Sequence, residues 1–137
     1  MTATQKHAWF NLAVIALTLL TVMTLVPILG VRRAMGGFGL LGLLGFGFLV
    51  YRRRPGQVVV DERDAEIQRR SLMISAAVFW VIFVEACVFL PWFYYDERGA
   101  VPVEVVQWSV MIAWITITLI HSVATLIQYG RGGSDAA

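Results

Sequence analysis

The chain has 137 residues, of which 58% are hydrophobic and 15% are charged, and its mean hydropathy is +0.72. A soluble domain carries about 45–50% apolar and about 25% charged residues, so this composition excludes an ordinary soluble fold and favours a bilayer-embedded chain. The eleven Lys and Arg residues lie at the ends of long uncharged blocks, which fits lipid headgroups and argues against direct nucleic-acid binding. The single cysteine, Cys87, excludes an intrachain disulfide and a cysteine-based zinc site.

Four apolar blocks follow one another along the chain, at about residues 8–30, 34–51, 71–94 and 102–129. A helix needs about 20 mostly apolar residues to cross a bilayer, and these blocks are close to that length or longer. Helices are expected because every backbone polar group in lipid must be satisfied within its own segment. The predicted fold is therefore all-α: a single four-transmembrane-helix bundle over residues 1–137, made of two helical hairpins.

The basic residues between the blocks predict the orientation. The amino tail, the loop over residues 52–70 and the carboxyl tail hold eight Lys and Arg residues, and the two short turns opposite hold three. The richer side is predicted to be cytoplasmic, which places both termini inside, at a cell (inner) membrane. Five loop arginines are expected to contact anionic lipid headgroups: Arg52, Arg53, Arg54, Arg69 and Arg70.

The second block is short and rich in glycine. Gly36, Gly39, Gly42 and Gly45 recur at every third position. Small residues in membrane helices let neighbouring backbones approach closely, so the pattern favours packing against another helix of this chain or of a second copy. A hinge is the alternative interpretation.

The third helix is expected to begin before the membrane. Asp61 is a suitable N-cap, and Glu62 and Asp64 fall in the first turn, where the helix dipole favours negative charge. This predicts a helix from near Glu62 to about Tyr94 that projects roughly two turns into the cytoplasm. The segment of Asp61, Glu62, Arg63 and Asp64 is then either a docking motif for a partner or only a well-capped, solvated helix start.

The same segment carries a resemblance, made by the run of Asp61, Glu62, Arg63 and Asp64 followed by Ile67 and Arg70 directly before a span. It resembles a motif of small bacterial and archaeal membrane proteins of unknown function that have a similar number of spans. Some of those proteins are encoded beside small helix-turn-helix regulators. The resemblance covers this short segment and the span layout, and it implies a membrane-linked regulatory role.

Glu85 is the most notable polar residue within a predicted span. It lies about nine residues, or roughly 13 Å, from the outer end of the third span, where ionisable groups are costly and often functional. Thr21, Thr24 and Ser109 lie at matching depth and are its expected hydrogen-bond partners. Glu85 either takes part in a path for protons, ions or a small ligand, or makes a structural contact between helices.

Two stripes of polar residues are also predicted on the spans. The first and fourth spans carry side chains at spacings that place them on one helical face, and such faces are expected to point into the bundle or at a partner helix. The longer stripe consists of Gln107, Trp114, Thr118, His121, Thr125 and Gln128, and the shorter of Asn11, Thr18 and Thr21. They form either a polar path together with Glu85 or hydrogen bonds between helices.

Neither an enzyme nor a metal or cofactor site is predicted, because the chain shows no nucleophile with a base and no ligand spacing. The favoured function is an accessory, scaffolding or regulatory role through helix association and the charged helix start. The partner is expected to be a second copy, or another membrane or cytoplasmic protein. The alternative is a proton-coupled transporter of small molecules or ions that uses Glu85, although four-helix multidrug exporters carry their embedded glutamate on the first span.

Overall fold

The computed structural model describes residues 2–51, 62–94 and 101–134, and its elements are all helical over these ranges. Three helices are long and apolar enough to cross a membrane, over Ala3–Leu29, Glu62–Phe89 and Val103–Gly130. The elements in chain order are α1 (Ala3–Leu29), α2 (Val31–Ala34), a 3-10 helix (Met35–Tyr51), α3 (Glu62–Tyr94) and α4 (Val103–Ser134). The predicted all-α class is therefore confirmed.

The ends of α1 are fixed by local chemistry. Thr2 and Gln5 form a capping box, in which each side chain accepts a hydrogen bond from the other residue's backbone N–H, at 3.2 and 2.9 Å. At the other end Gly30 adopts φ +80°, which only glycine takes without strain, and its N–H bonds to the Val26 carbonyl. The chain then turns through α2 and runs back along α1.

The glycine-rich segment differs from its prediction, because it forms a 17-residue 3-10 helix where an α-helical span was expected. In this geometry residues three apart eclipse one another, which crowds side chains and keeps most 3-10 runs short. Residues three apart form three rows along the helix. One of these rows avoids the crowding because it contains the four glycines that recur at every third position. Gly36, Gly39, Gly42 and Gly45 line one exposed edge, and an added Cβ at any of them would meet nothing within 4 Å.

A second row of the 3-10 helix packs on α1. Phe38 and Leu41 are buried, and Gly47, two positions further along this row, lies against the start of α1. Gly37, next to the row, approaches so closely that its Cβ would lie 2.9 Å from Val22 Cγ2. The tight intrachain packing expected of this segment therefore involves Gly37 and Gly47, and not the glycines that recur every third residue.

The apolar core lies where α1, the 3-10 helix and α4 meet. Ile15, Val22, Phe38 and Ile115 are buried together, and the Phe38 ring stands edge-on to Trp108 at 5.1 Å between centroids and 81° between planes. α4 packs against both α1 and α3. Contacts between Thr2, Asp64 and Tyr129 gather the start of α1, the start of α3 and the end of α4 at one end of the molecule, here called the near end. The opposite end is called the far end.

α3 is helical throughout Glu62–Tyr94, so the charged segment before the predicted span is part of the helix, as expected. Its first turn carries Glu62 and Asp64, which are stabilised by the partial positive charge of a helix start. Within Glu62–Phe89, the buried residues of α3 all lie in the half toward the near end: Asp64, Ile67, Ser71 and Ser75.

Candidate functional site

Polar side chains from three helices meet between α1, α3 and α4 toward the near end. This group, called the polar cluster below, brings together residues 4–11 of α1 with the buried hydroxyls of α3 and the last turns of α4. Its members are Thr4, His7, Asn11, Asp64, Ser71, His121, Ser122, Thr125, Gln128 and Tyr129.

The contact nearest the chain ends joins α3 to α4. The Tyr129 hydroxyl donates a short hydrogen bond to the Asp64 carboxylate, and the side chains of Thr2 and Thr4 lie beside that hydroxyl. Asp64 is only 6% exposed. A carboxylate hydrogen bond of this kind is about twice as strong as a neutral one, so it fastens the end of α4 to the start of α3.

This arrangement divides the predicted docking motif. Asp64 faces inward, whereas Glu62 and Arg63 are exposed and remain accessible to a partner. Asp61 lies outside the described residues. Of the predicted headgroup residues, Arg69 and Arg70 are exposed on α3, and the loop residues Arg52, Arg53 and Arg54 lie outside the described residues.

A second contact between α3 and α4 lies deeper. Gln128 Nε2 donates to Ser71 Oγ at 2.7 Å, and the His121 imidazole lies within hydrogen-bonding reach of the Ser71 backbone. Ser71 and Ser75 are fully buried, so small hydroxyl side chains let α3 approach α4 closely. The near halves of α3 and α4 are therefore held together by polar contacts as well as by packing.

The two histidines of the chain belong to the same cluster. His7 and His121 lie close enough for their imidazoles to interact electrostatically. His7 also packs directly on the 3-10 helix, because a Cβ at Gly47 would lie 2.9 Å from its Cδ2 atom and closer still to Nε2. The His7 ring thus joins the polar cluster to the 3-10 helix.

Several buried atoms of the cluster make no hydrogen bond within the described part of the chain: Thr4 Oγ1, His121 Nδ1 and Ser122 Oγ. Buried polar atoms normally make hydrogen bonds. These three therefore leave unused hydrogen-bonding capacity in the interior of the polar cluster. No group of three or more His, Cys, Asp or Glu residues suited to a metal occurs among the described residues.

The predicted polar stripe of α4 is split by the packing of α3. Its near half, with Thr125 and Gln128, is covered or hydrogen bonded, but Gln107 and Trp114 in its far half are exposed. Thr118, between the two halves, is partly buried and donates to the Trp114 carbonyl at 2.9 Å. The stripe is therefore covered by α3 only toward the near end, where α3 itself is buried.

On α1 the shorter stripe is largely inward. Asn11 is 6% exposed and Thr18 is fully buried, and Thr18 donates to the Val14 carbonyl at 2.8 Å. Thr21 is partly buried and bonds to Leu17 of its own helix, also at 2.8 Å. Both threonine hydroxyls donate to carbonyls of α1 itself. They therefore line the interface of α1 without forming hydrogen bonds to another helix.

The far half of α3 is uncovered. Every residue from 76 to 89 is exposed apart from Phe79 and Ala86, which are partly buried, and Glu85 is among the exposed ones. None of its three predicted partners bonds to it, because Thr21, Thr24 and Ser109 each donate to a carbonyl of their own helix. The contacts with Thr21 and Thr24 fail because α4, not α1, is the main neighbour of α3, and the contact with Ser109 fails because the far half of α3 is exposed.

Sequence reasoning missed several residues of the polar cluster. The contacts of Asp64 with Tyr129 and of Ser71 with Gln128 join positions 65 and 57 residues apart, so no local pattern signals them. Ser122 had a usable signal, since it lies seven residues from both Ile115 and Tyr129 and so shares their inward face. No family model, no curated protein and no solved structure matches this chain.

Proposed function

We propose that this chain is a small integral protein of the cytoplasmic membrane that acts as an accessory or regulatory subunit by helix association. The associating surface is the far half of α3, residues 76–89, called the α3 face below. The observation that carries the proposal is the position of Glu85, a carboxylate on an exposed, otherwise apolar helical surface.

A carboxyl group at the position of Glu85 costs free energy when it faces lipid. An ionisable side chain in the centre of a membrane helix costs about 2.5–3.5 kcal/mol on insertion scales, and such residues usually face a bundle interior. Within the described chain Glu85 faces no interior and has no hydrogen-bond partner. A helix packed on the α3 face would remove the carboxyl group from lipid and supply the missing partner.

The membrane arrangement that belongs to this proposal has four crossings in two helical hairpins, with both termini cytoplasmic. Although the 3-10 helix has only 17 residues, its rise of about 2.0 Å per residue gives roughly 34 Å, enough to cross a hydrocarbon core of about 30 Å. The meeting of Thr2 and Tyr129 at the near end agrees with termini on one side. The excess of Lys and Arg in the tails and middle loop supports the cytoplasmic assignment.

A native cysteine provides the test. Cys87 is exposed on the α3 face, two residues from Glu85. Mild oxidation of membranes that contain the full chain is expected to give a disulfide-linked dimer, if the partner is a second copy, or a specific heavier adduct with another protein. The matched control carries Cys87→Ala together with Leu20→Cys, which moves the thiol to an exposed position on α1. Equal crosslinking from both positions, or none from Cys87, contradicts the proposal.

Depth restricts how two copies can pair. Glu85 and Trp114 each lie 14 residues, or about 21 Å along their helices, from the Ser71–Gln128 hydrogen bond. Symmetry about an axis normal to the membrane preserves depth, so Glu85 of one copy meets groups at the level of Trp114 in the other. Since a polar contact between membrane helices is worth about 1–2 kcal/mol in model peptides, Glu85→Leu should weaken dimerisation about 5- to 30-fold. Val84→Leu, at an exposed apolar neighbour, should change it little.

The exposed part of the cytoplasmic motif supports a regulatory contact with a soluble partner. Charge reversal at Asp64 is unsuitable as a test, because it would break the internal bond to Tyr129. Glu62→Lys changes only an exposed charge. Loss of a co-purifying cytoplasmic protein in Glu62→Lys, with the Cys87 crosslink intact, would assign the two ends of α3 to two different partners.

The transporter alternative uses the same carboxylate in another way. It requires Glu85 to line an aqueous path, which on this exposed helix face would form between copies. Glu85→Gln separates the two functions because it keeps a hydrogen-bonding group but removes the proton-binding site. Transport lost in Glu85→Gln while the Cys87 crosslink persists would favour the transporter; association lost in Glu85→Leu without any transport defect favours the accessory role.

A further inference from the structure

An apolar groove lies on the far half of the molecule, and no residue of α3 lines it. It is open, measures about 420 Å³ and is lined only by apolar side chains of α1, the 3-10 helix and α4. Val22, Phe38 and Ile115 form its floor, and Met23 and Ile112 are exposed at its rim. Within the bilayer proposed above, this groove faces the hydrocarbon region.

Two features at the far end add polarity to the groove. Arg32 and Arg33 are exposed in α2, which begins two residues after α1 ends at Leu29, and α1 itself ends three residues, or roughly 4.5 Å, beyond Val26. Trp108, which also lines the groove, has a buried indole N–H without an acceptor among the described residues. The headgroup zone of each leaflet is about 5–8 Å thick, so the arginines lie at headgroup level when the groove lies in hydrocarbon.

We infer that this groove binds one acyl chain of an anionic glycerophospholipid whose phosphate contacts Arg32 and Arg33. The apolar lining takes the chain, and the Trp108 N–H is complementary to an ester carbonyl at the base of the headgroup. Glu104, at the start of α4, is the one acidic side chain that the described residues place at the far end, and the two arginines outnumber it. The inference rests on the membrane location proposed above but is independent of the α3 face.

The size of the groove favours a lipid chain over a second protein. An α-helix about 10 Å wide fills roughly 420 Å³ with a single 5.4 Å turn, whereas a stable helix contact runs over several turns. A single flexible acyl chain fits a groove of this volume. The pair of arginines supplies the recognition that distinguishes an anionic lipid from the bulk bilayer.

The test is lipid titration of the purified full chain in detergent, with native mass spectrometry counting bound lipids. The probes are dioleoylphosphatidylglycerol and dioleoylphosphatidylcholine. One molecule of the anionic lipid is expected to bind more tightly than the zwitterionic one. Each basic residue near a membrane surface contributes about fivefold, so the double variant Arg32→Gln, Arg33→Gln should lower affinity for the anionic lipid about 30-fold and remove the preference.

A matched pair of variants on α4 tests the groove itself. Ile112→Trp fills the rim of the groove and should abolish binding of both lipids, whereas Val110→Trp adds the same ring at an exposed position outside it and should leave binding unchanged. Trp108→Phe keeps the aromatic packing but removes the N–H, and should weaken binding about threefold.

Three results would overturn the inference. They are equal binding of the two lipids with no effect of the arginine variants, equal binding to Ile112→Trp and Val110→Trp, and a change of dimer fraction in Ile112→Trp with unchanged lipid counts. The last result identifies the groove as a protein interface. Because Cys87 crosslinking reports on α3 separately, failure of lipid binding and failure of the association proposal are distinguishable.

Discussion

Gly47→Ala tests a close approach between the 3-10 helix and α1. The added Cβ would lie 2.9 Å from His7 Cδ2, and ordinary contact begins at 3.4 Å, so the ring must retreat by at least about 0.5 Å. His7 makes a further interaction of its own, and its ring is partly buried within the polar cluster next to His121, which limits where it can move. Overpacking of this kind costs about 1–3 kcal/mol, and we expect the free energy of unfolding to fall by an amount in that range.

Gly45→Ala is the matched control. Gly45 lies two residues earlier on the same 3-10 helix, on the exposed glycine edge, where an added Cβ meets nothing within 4 Å. Both substitutions change the backbone freedom of the unfolded chain equally, by about 0.5–1 kcal/mol in favour of alanine. The difference between the two variants therefore isolates the contact with His7.

The assay is unfolding in mixed micelles of a mild detergent and sodium dodecyl sulfate, followed by far-UV circular dichroism. A double-mutant cycle with His7→Ala completes the assay. Without the His7 ring, Gly47→Ala should lower the free energy of unfolding much less. The reasoning is refuted if Gly47→Ala and Gly45→Ala unfold at the same detergent fraction, or if His7→Ala leaves the cost of Gly47→Ala unchanged.

The remaining predictions use the same assay. Gly37→Ala places a Cβ 2.9 Å from a Val22 methyl group and should destabilise the fold by about 1 kcal/mol, whereas Gly39→Ala should not. Tyr129→Phe removes the donor to a buried carboxylate and should cost about 1–2 kcal/mol; an unchanged midpoint would show that the contact contributes nothing. Gln128→Leu removes the hydrogen bond to the buried hydroxyl of α3, and its expected cost is only about 0.6 kcal/mol, the average for such contacts in membranes.

The features that were predictable from sequence depend on neighbouring residues. The negative charges in the first turn of α3 were recognisable from the sequence, and so was the glycine that ends α1. The three long apolar helices follow from composition alone. Each of these signals is contained within a few residues, so no knowledge of the packed structure is needed.

The features that were not predictable depend on which helices touch. Glu85 was assigned hydrogen-bond partners on the assumption that equal depth brings residues together, but α4 separates its helix from the threonines of α1. The 3-10 geometry of the glycine segment depends on its packing against α1, where Phe38 and Leu41 must stay on one side. The inward position of Asp64 depends on a tyrosine 65 residues away.

The three-residue repeat of the 3-10 helix restricts how the length of this segment can change. Because the rows repeat every three residues, loss of a single residue would rotate all following side chains by about 120° and present glycines, in place of Leu41 and its row, to α1. Loss of three residues would keep every row in register and shorten the segment by about 6 Å. Natural or engineered length variants of this segment should therefore be tolerated in triplets, with the membrane thickness setting how many triplets can be removed.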